Sequence, residues 1–559
     1  MPKAPAPNSP RRRRVGAAAL ISAALMLTAC QTLPTSGPVT QFDPAPPTSA
    51  SLQLRGYGPV TGDSPEGIVR DFLRASAAGW SDDFQVARSY LTPRAVKEWK
   101  PESQVQIYPN DQVPSIELKG EEVRVDLALD GFVTPNGQYQ MQASPARETF
   151  TFTVQETADG QWRIDTLPEG VLVSQSVFQA AFQQANVYFL SPDSAALVGD
   201  LRWFPRRRLA GYLMQALLDG PTENLRSAVL SAAPEGAQLP LKSVELKNGH
   251  ALVEISGSPL GGELTQQLFQ WQVNATLIQV ANVSDVSISV NGTAVPPQVL
   301  PTGPAWAMDS IVFIDEDGLK VSNNAGERTV LDTAGLGPTP TAPVIGPLAS
   351  SPVAFISGGD RLMLVPDKAT EATELFTQAG MSDPSIDRLG WVWTSANGSV
   401  LAAKPSVGVV TIPAPLPDGK DPITAIAISP DGARALVQRG GKIPSLWVAA
   451  VRRSHQGDPI ALANAERLGG VPGQILDASW SGNNSVVALV KNDGEMQVAV
   501  SNLSMPAQTL SAPKTVSSIS SGVNTQSVIL NAPDGSSFQR SGGSWRQLPD
   551  GRVGESYPR

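Results

Sequence analysis

The sequence predicts a multidomain chain in which an α+β unit and an α/β unit precede an all-β propeller. Three observations predict it. The chain has 559 residues, far more than one hydrophobic core organises. Helical apolar spacing dominates its early segments, then gives way after about residue 300 to short period-two strands between turn dipeptides. Composition agrees: 49 Gly and 49 Pro supply many turns, while 41% hydrophobic and 17% charged residues mark a globular chain.

The first thirty residues set the compartment. Arg11 to Arg14 form a basic patch ahead of the uncharged, mostly apolar stretch Val15 to Thr28, the order of a secretory signal peptide. A spanning helix needs about 20 apolar residues, and no segment reaches that length, so the mature chain is expected to have no transmembrane helix. At the end of the stretch stand Leu27, Thr28, Ala29 and Cys30, which resemble the bacterial lipobox. The resemblance implies that the Cys30 thiolate takes a diacylglyceryl group in thioether linkage. A peptidase then cuts before Cys30, and the freed amine takes an acyl chain such as palmitate. Each buried methylene contributes about 0.8 kcal/mol, so one chain anchors marginally and two or three hold firmly.

Cys30 is the only cysteine, so disulfides are excluded and the fold rests on packing. The formal charge is −9, and cleavage before Cys30 removes Lys3 and Arg11 to Arg14 but no acid. An acidic body of this kind excludes electrostatic attachment to anionic lipid and nonspecific nucleic-acid binding. The covalent lipid is the expected membrane contact, on the extracytoplasmic face.

The chain divides by composition and pattern. Residues 1–29 read as signal peptide, and residues 30–62 as the lipidated cysteine and a linker rich in Pro, Thr, Ser and Gly. If flexible, that linker spans about 30 Å on average. Residues 63–180 form the first folded unit. Asp63 and Glu66 have capping-box spacing ahead of Ile68, Phe72 and Leu73, and Thr92-Pro93 marks a second helix start. Period-two runs follow: Val123, Val125 and Leu127; Phe150, Phe152 and Val154; Trp162 and Ile164. Helices first and an antiparallel sheet afterwards resemble the cone of nuclear transport factor 2 relatives.

Residues 181–299 read as an α/β unit. The strand of Val187 and Phe189 precedes a helix carrying Leu209, Leu213, Ala216 and Leu217, stopped by Gly220-Pro221. Asn248-Gly249 then turns a hairpin between Val244, Leu246 and Ala251, Val253, Ile255. A helix from Leu264 to Val280 and a strand of Val286, Ile288 and Val290 follow. These elements, with Ala210 to Thr222 and Ala232 to Gly236, resemble the GerMN domain of spore-germination proteins. In residues 300–559 one phrase returns, from Trp393, from Ile428 and from Trp480: an apolar residue, small residues, an Asn/Asp/Gly turn and a second apolar run. The spacing is near that of propeller repeats, about 40 to 50 residues, and the length accommodates about five or six blades.

Together the lipobox, the GerMN-like segment, the propeller, Tyr90 to Val96 and the ending from Trp545 to Tyr557-Pro558 resemble the actinobacterial LpqB lipoprotein family. The resemblance implies a partner, the ectodomain of the sensor histidine kinase MtrB. It also implies a role beside the MtrAB two-component system in envelope upkeep and division.

Catalytic groups are sparse. Of two histidines, His250 follows the hairpin turn and is expected at an exposed edge, and His455 lies in a polar loop beside Arg452 and Arg453. Neither has a partner at metal-ligand spacing, so no metal, cofactor or catalytic residue is assigned. Ser511 and Lys514 have Ser-x-x-Lys spacing, but Pro513 opposes the helix that motif needs. Asp315-Glu316-Asp317-Gly318 reads as a blade turn rather than a calcium loop. Of the late tryptophans (Trp306, Trp391, Trp393, Trp447, Trp480 and Trp545), the repeated Trp393 and Trp480 are expected between blades. Exposed ones would serve as interface anchors. The rival functions are a cell-wall-associated hydrolase and a glycan-binding structural envelope lipoprotein.

Cys30→Ser tests the anchor: the variant should remain uncleaved at this site and take no label from fatty acid fed to the cells. Labelling at wild-type level would refute the assignment.

Overall fold

The computed structural model describes residues 55–417, 421–503 and 507–559, with the backbone alone at 142–146. Leu27, Thr28, Ala29, Cys30 and most of the linker lie outside the described residues. Helix α1 (Pro65–Ala77) starts where extended Ser64 accepts a hydrogen bond from the Gly67 N–H, with Pro65 at a position that needs no donor. The cap is therefore Ser64 and not Asp63, which instead accepts from the Ser64 N–H at 2.8 Å. After the short α2 (Gln85–Arg88), α3 (Pro93–Glu98) is capped as expected, Thr92 accepting from the Ala95 N–H.

Six strands follow: β1 (Val105–Tyr108), β2 (Ser115–Lys119), β3 (Glu122–Val133), β4 (Tyr139–Glu156), β5 (Trp162–Thr166) and β6 (Val171–Ser174). They lie in the order β5-β4-β3-β1-β6, with β2 against β3; β1 and β6 are parallel and the other pairs antiparallel. Buried and half-buried residues alternate along β3, so Val123, Val125 and Leu127 face one side. Phe72 of α1 meets Phe152 and Trp99 edge-on at centroid distances of 6.1 and 5.3 Å. This part is α+β.

Helix α4 (Gln175–Ala181) leads into β7 (Phe182–Leu190), which pairs antiparallel with β8 (Leu197–Pro205). Then come α5 (Leu209–Asp219), β9 (Glu245–Lys247), β10 (His250–Ile255), α6 (Glu263–Leu277), β11 (Asp285–Val290) and β12 (Thr293–Ala294). Helix α6 stops at Leu277, short of the expected Val280. The sheet order is β12-β11-β10-β9. Strands β10 and β11 are parallel, and α6 is the crossover such a pair requires. Ala251, Val253, Ile255 and Ile288 share an apolar core with Leu213 and Phe269 from the helices. The turn between β9 and β10 has φ of 52° at Asn248 and 81° at Gly249, as a type I′ turn demands.

The rest of the described chain is six four-stranded sheets arranged as blades. Five are continuous, at residues 341–377, 385–412, 423–467, 474–511 and 518–547. The first is composite: Ile311–Asp315, Gly318–Asn323 and Gly326–Asp332 pair in turn, and Val553–Ser556 from the far end of the chain adds the fourth strand. Trp393 of the third blade packs in one apolar cluster with Ile426, Ile428 and Val437 of the fourth. Trp480 of the fifth donates its Nε1–H to the Ala427 carbonyl of the fourth at 3.0 Å. The repeated tryptophans are inter-blade packing.

The α/β part is bound to the propeller by polar contacts. Arg388 grips both oxygens of Asp193 at 3.0 and 2.7 Å. Arg434 donates to the Gly199 carbonyl at 2.7 Å, and Asn484 to the Asn186 side chain at 2.9 Å. Ala433 and Ala450 join the apolar cluster of the α/β part. On the other side, Tyr212 donates to Glu102 at 2.5 Å, and Arg208 pairs with Asp83. Burial alone would raise the Asp193 pKa, but hydrogen bonds from Arg388 and Ser191 outweigh it and bring it down to about 2.

Gly249→Val should destabilise the full chain by about 1–3 kcal/mol, the cost of forcing a β-branched residue to positive φ; an unchanged denaturation midpoint would refute the turn assignment. For Asp193, the folded-state pKa lies below the ordinary value of about 3.9. Its stabilisation is therefore complete above that pH and lost as pH falls toward 2. Arg388→Gln should flatten this acid limb and lower stability at neutral pH by about 1–2 kcal/mol, as read by denaturant titrations at several pH values.

Candidate binding groove

In β10, alternate residues are buried and outward-facing. Its outward residues and those of β9 and β11 form one open face whose rows follow from the register. The first row is Lys247, His250 and Asp285; the second is Glu245, Leu252 and Ser287; the third is Glu254 and Ser289, with Ala294 beyond. Segments around Leu241 and Leu300 flank this face and leave a groove of about 970 Å³. Gln270 of α6 fixes one wall, donating to the Pro296 carbonyl at 2.8 Å and accepting from the Gln298 N–H at 3.0 Å.

The first two rows bring together residues that sequence reasoning kept apart. His250 Nδ1 lies 2.8 Å from Asp285 Oδ2, and His250 Nε2 lies 3.0 Å from Ser287 Oγ. His250 stands directly after the turn, as the first residue of β10, but its side chain is half-buried and held on both sides, so that a hydroxyl, an imidazole and a carboxylate cluster. The order of contacts is that of a Ser-His-Asp relay. The surroundings differ from one. In a working relay the carboxylate is buried, whereas the Asp285 side chain is 70% exposed. Ser287 also sits within a paired strand, while oxyanion donors are N–H groups aimed at the developing charge. The alternation Asp285-x-Ser287 was readable as one strand face; its alignment with His250 depends on the crossover through α6.

The other sequence candidates fall elsewhere. His455 is exposed in a turn. Ser511 ends a strand, its carbonyl accepting from Trp545 Nε1, and Lys514 pairs with Glu495 at 3.3 Å, so the Ser-x-x-Lys spacing builds no site. Asp315 and Gly318 close a hairpin in which Lys320 Nζ reaches Asp315 and Asp317, each at 2.8 Å. That ammonium takes the place a cation would need. Trp391, Trp393, Trp447 and Trp480 are buried, and Trp306 is 38% exposed. Among the described residues no helix is long and apolar enough to cross a membrane.

A six-bladed propeller fastened to an α/β unit, with an α+β unit at the other side, defines a multidomain protein with an open groove. Residues 58–179 match the family model described as "Lipoprotein LpqB, N-terminal domain", and residues 317–558 match "Lipoprotein LpqB beta-propeller domain". Between them, residues 186–296 match "Sporulation and spore germination". The chain belongs to the LpqB lipoprotein family. Lipoprotein LpqB of Nocardia farcinica is 24% identical over 559 residues, covering 89% of this chain and 90% of that one. The Cutibacterium acnes relative is 31% identical over 293 residues, covering 51% of this chain and 47% of its own length. The structure of TolB from Acinetobacter baumannii is similar over 44% of this chain and 66% of that one, at 15% identity and a TM-score of 0.34. That likeness is too loose to bear on function.

Proposed function

We propose that this lipoprotein is held at the outer face of the membrane by lipid on Cys30, where it binds the ectodomain of an MtrB-type sensor kinase and modulates its signalling. The observation that carries the reading is the joining of the α/β part and the propeller through Asp193–Arg388, Arg434–Gly199 and Asn484–Asn186. Such a body can present contacts to a partner at little ordering cost. Family membership supports the same reading. The kinase identity rests on what the family resemblance implies.

A second reading, a cell-wall-associated hydrolase, has the His250–Asp285–Ser287 contacts in its favour and the exposure of Asp285 against it. A glycan-binding role draws less support, because the groove lining includes no Trp, Tyr or Phe on which a sugar ring could stack.

The test is reconstitution of the full-length lipoprotein with the kinase in proteoliposomes, with autophosphorylation as the readout. Wild type should co-purify with the kinase and change autophosphorylation at least about twofold, and Ser287→Ala should do the same. Loss of the effect in a folded Ser287→Ala variant would favour the hydrolase; no co-purification and no effect of wild type would sink the proposal.

A further inference from the structure

The open groove is the feature that the kinase reading leaves unused. Its floor is chemically uneven. Leu252 lies at the centre, 37% exposed. Leu241, 84% exposed, and Leu300 add apolar surface at the flanks. Beside Leu252 across the strands is Glu245, and one row further along the same strand is Glu254. Both carboxylates are exposed and make no ion pair among the described residues. The lining holds no Lys or Arg; Lys247 stands outside it, next to His250 in the first row. The anionic character therefore belongs to the second and third rows, and the first row is balanced by Lys247 and the His250–Asp285 pair.

We infer that this groove docks an extended peptide segment of a partner protein in which aliphatic and basic side chains alternate on one face. Same-face side chains of an extended chain repeat at about 7 Å, the spacing of successive rows on a strand. A peptide running along β10 places an aliphatic side chain over Leu252, between Leu241 and Leu300. The next side chain on that face arrives at Glu254, with Glu245 within reach on the neighbouring strand. A cation there gains from two carboxylates that have no competing ion pair among the described residues, and the match of charge favours basic over acidic side chains at this position. The contacts of His250 Nδ1 with the accepting Asp285 carboxylate and of Nε2 with the Ser287 hydroxyl fix the imidazole as a polar stop at the other end. The inference does not rest on the identity of any kinase.

The probe is an end-blocked octapeptide made of two Leu-Ser-Lys-Ser units, whose faces are Leu/Lys and Ser; its counterpart has Glu in place of Lys. Fluorescence anisotropy with the full-length lipoprotein in nanodiscs of neutral lipid should show the Lys peptide binding at least tenfold more tightly than the Glu peptide. Glu245→Lys combined with Glu254→Lys should weaken binding at least tenfold, and Leu252→Asp at least fivefold, with thermal unfolding unchanged. Glu371→Lys, an exposed change on the propeller, controls for the net acidity of the chain and should leave binding as it is. Equal binding of the two peptides, equal loss in Glu371→Lys, or no binding of either peptide overturns the inference. So does displacement of the peptide by a chitin oligosaccharide, or self-association of the lipoprotein through this face.

Discussion

Ring closure is the constraint on which the rest of the structure depends. A propeller leaves sheet edges open unless its first and last strands meet in one blade, and here Val553–Ser556 pairs with Ile311–Asp315. The residues that follow are drawn inward. Tyr557 is buried, and Arg559 reaches Asp477 at 3.2 Å and Asp383 at 3.6 Å. The Arg559 carbonyl accepts from the Ile386 N–H of the third blade, and its N–H donates to the Ile345 carbonyl of the second. The final segment thus fastens blades that are distant in sequence.

A closed ring offers a fixed surface, and the polar contacts to the α/β part exploit it. Inside the third and fourth blades, buried Asp387 accepts from the Trp391 N–H, from Trp393 Nε1 and from Arg453. Within the α/β part, Arg202 and Asp200 form a second buried pair at 2.7 Å, and Asp200 also holds the Thr222 N–H and hydroxyl. Pairs of this kind gain little over apolar packing because desolvation offsets the attraction. Breaking one by removing a single partner is costly, so they disfavour alternative packings of blade on blade and part on part.

The groove has the opposite character. The buried face of the β9–β12 sheet is filled by α5 and α6, whereas the outward face carries Leu252 among carboxylates, hydroxyls and one imidazole. A leucine placed there contributes nothing to the core, and the carboxylates flanking it are not spent on intramolecular pairs.

Much of this was legible in the sequence where structure is decided by neighbours in the chain. Thr92-Pro93 caps a helix because a hydroxyl reaches an N–H three residues on, and Asn248-Gly249 turns a hairpin because both accept positive φ. The repeated phrases from Trp393, Ile428 and Trp480 announced blades because one apolar, turn and apolar pattern returned at a spacing near that of propeller repeats. Even locally there was ambiguity: Asp63 and Ser64 are both good caps, and backbone geometry chose Ser64. What the sequence by itself determined, then, was element type, domain order and family. The tertiary structure alone decided that Asp193 meets Arg388 across 195 residues, that the last strand completes the first blade, and that His250 stands between Asp285 and Ser287. These partners are brought together by a crossover helix, a ring closure and the docking of two folded parts, and no local pattern of residues encodes which distant side chains will share a face.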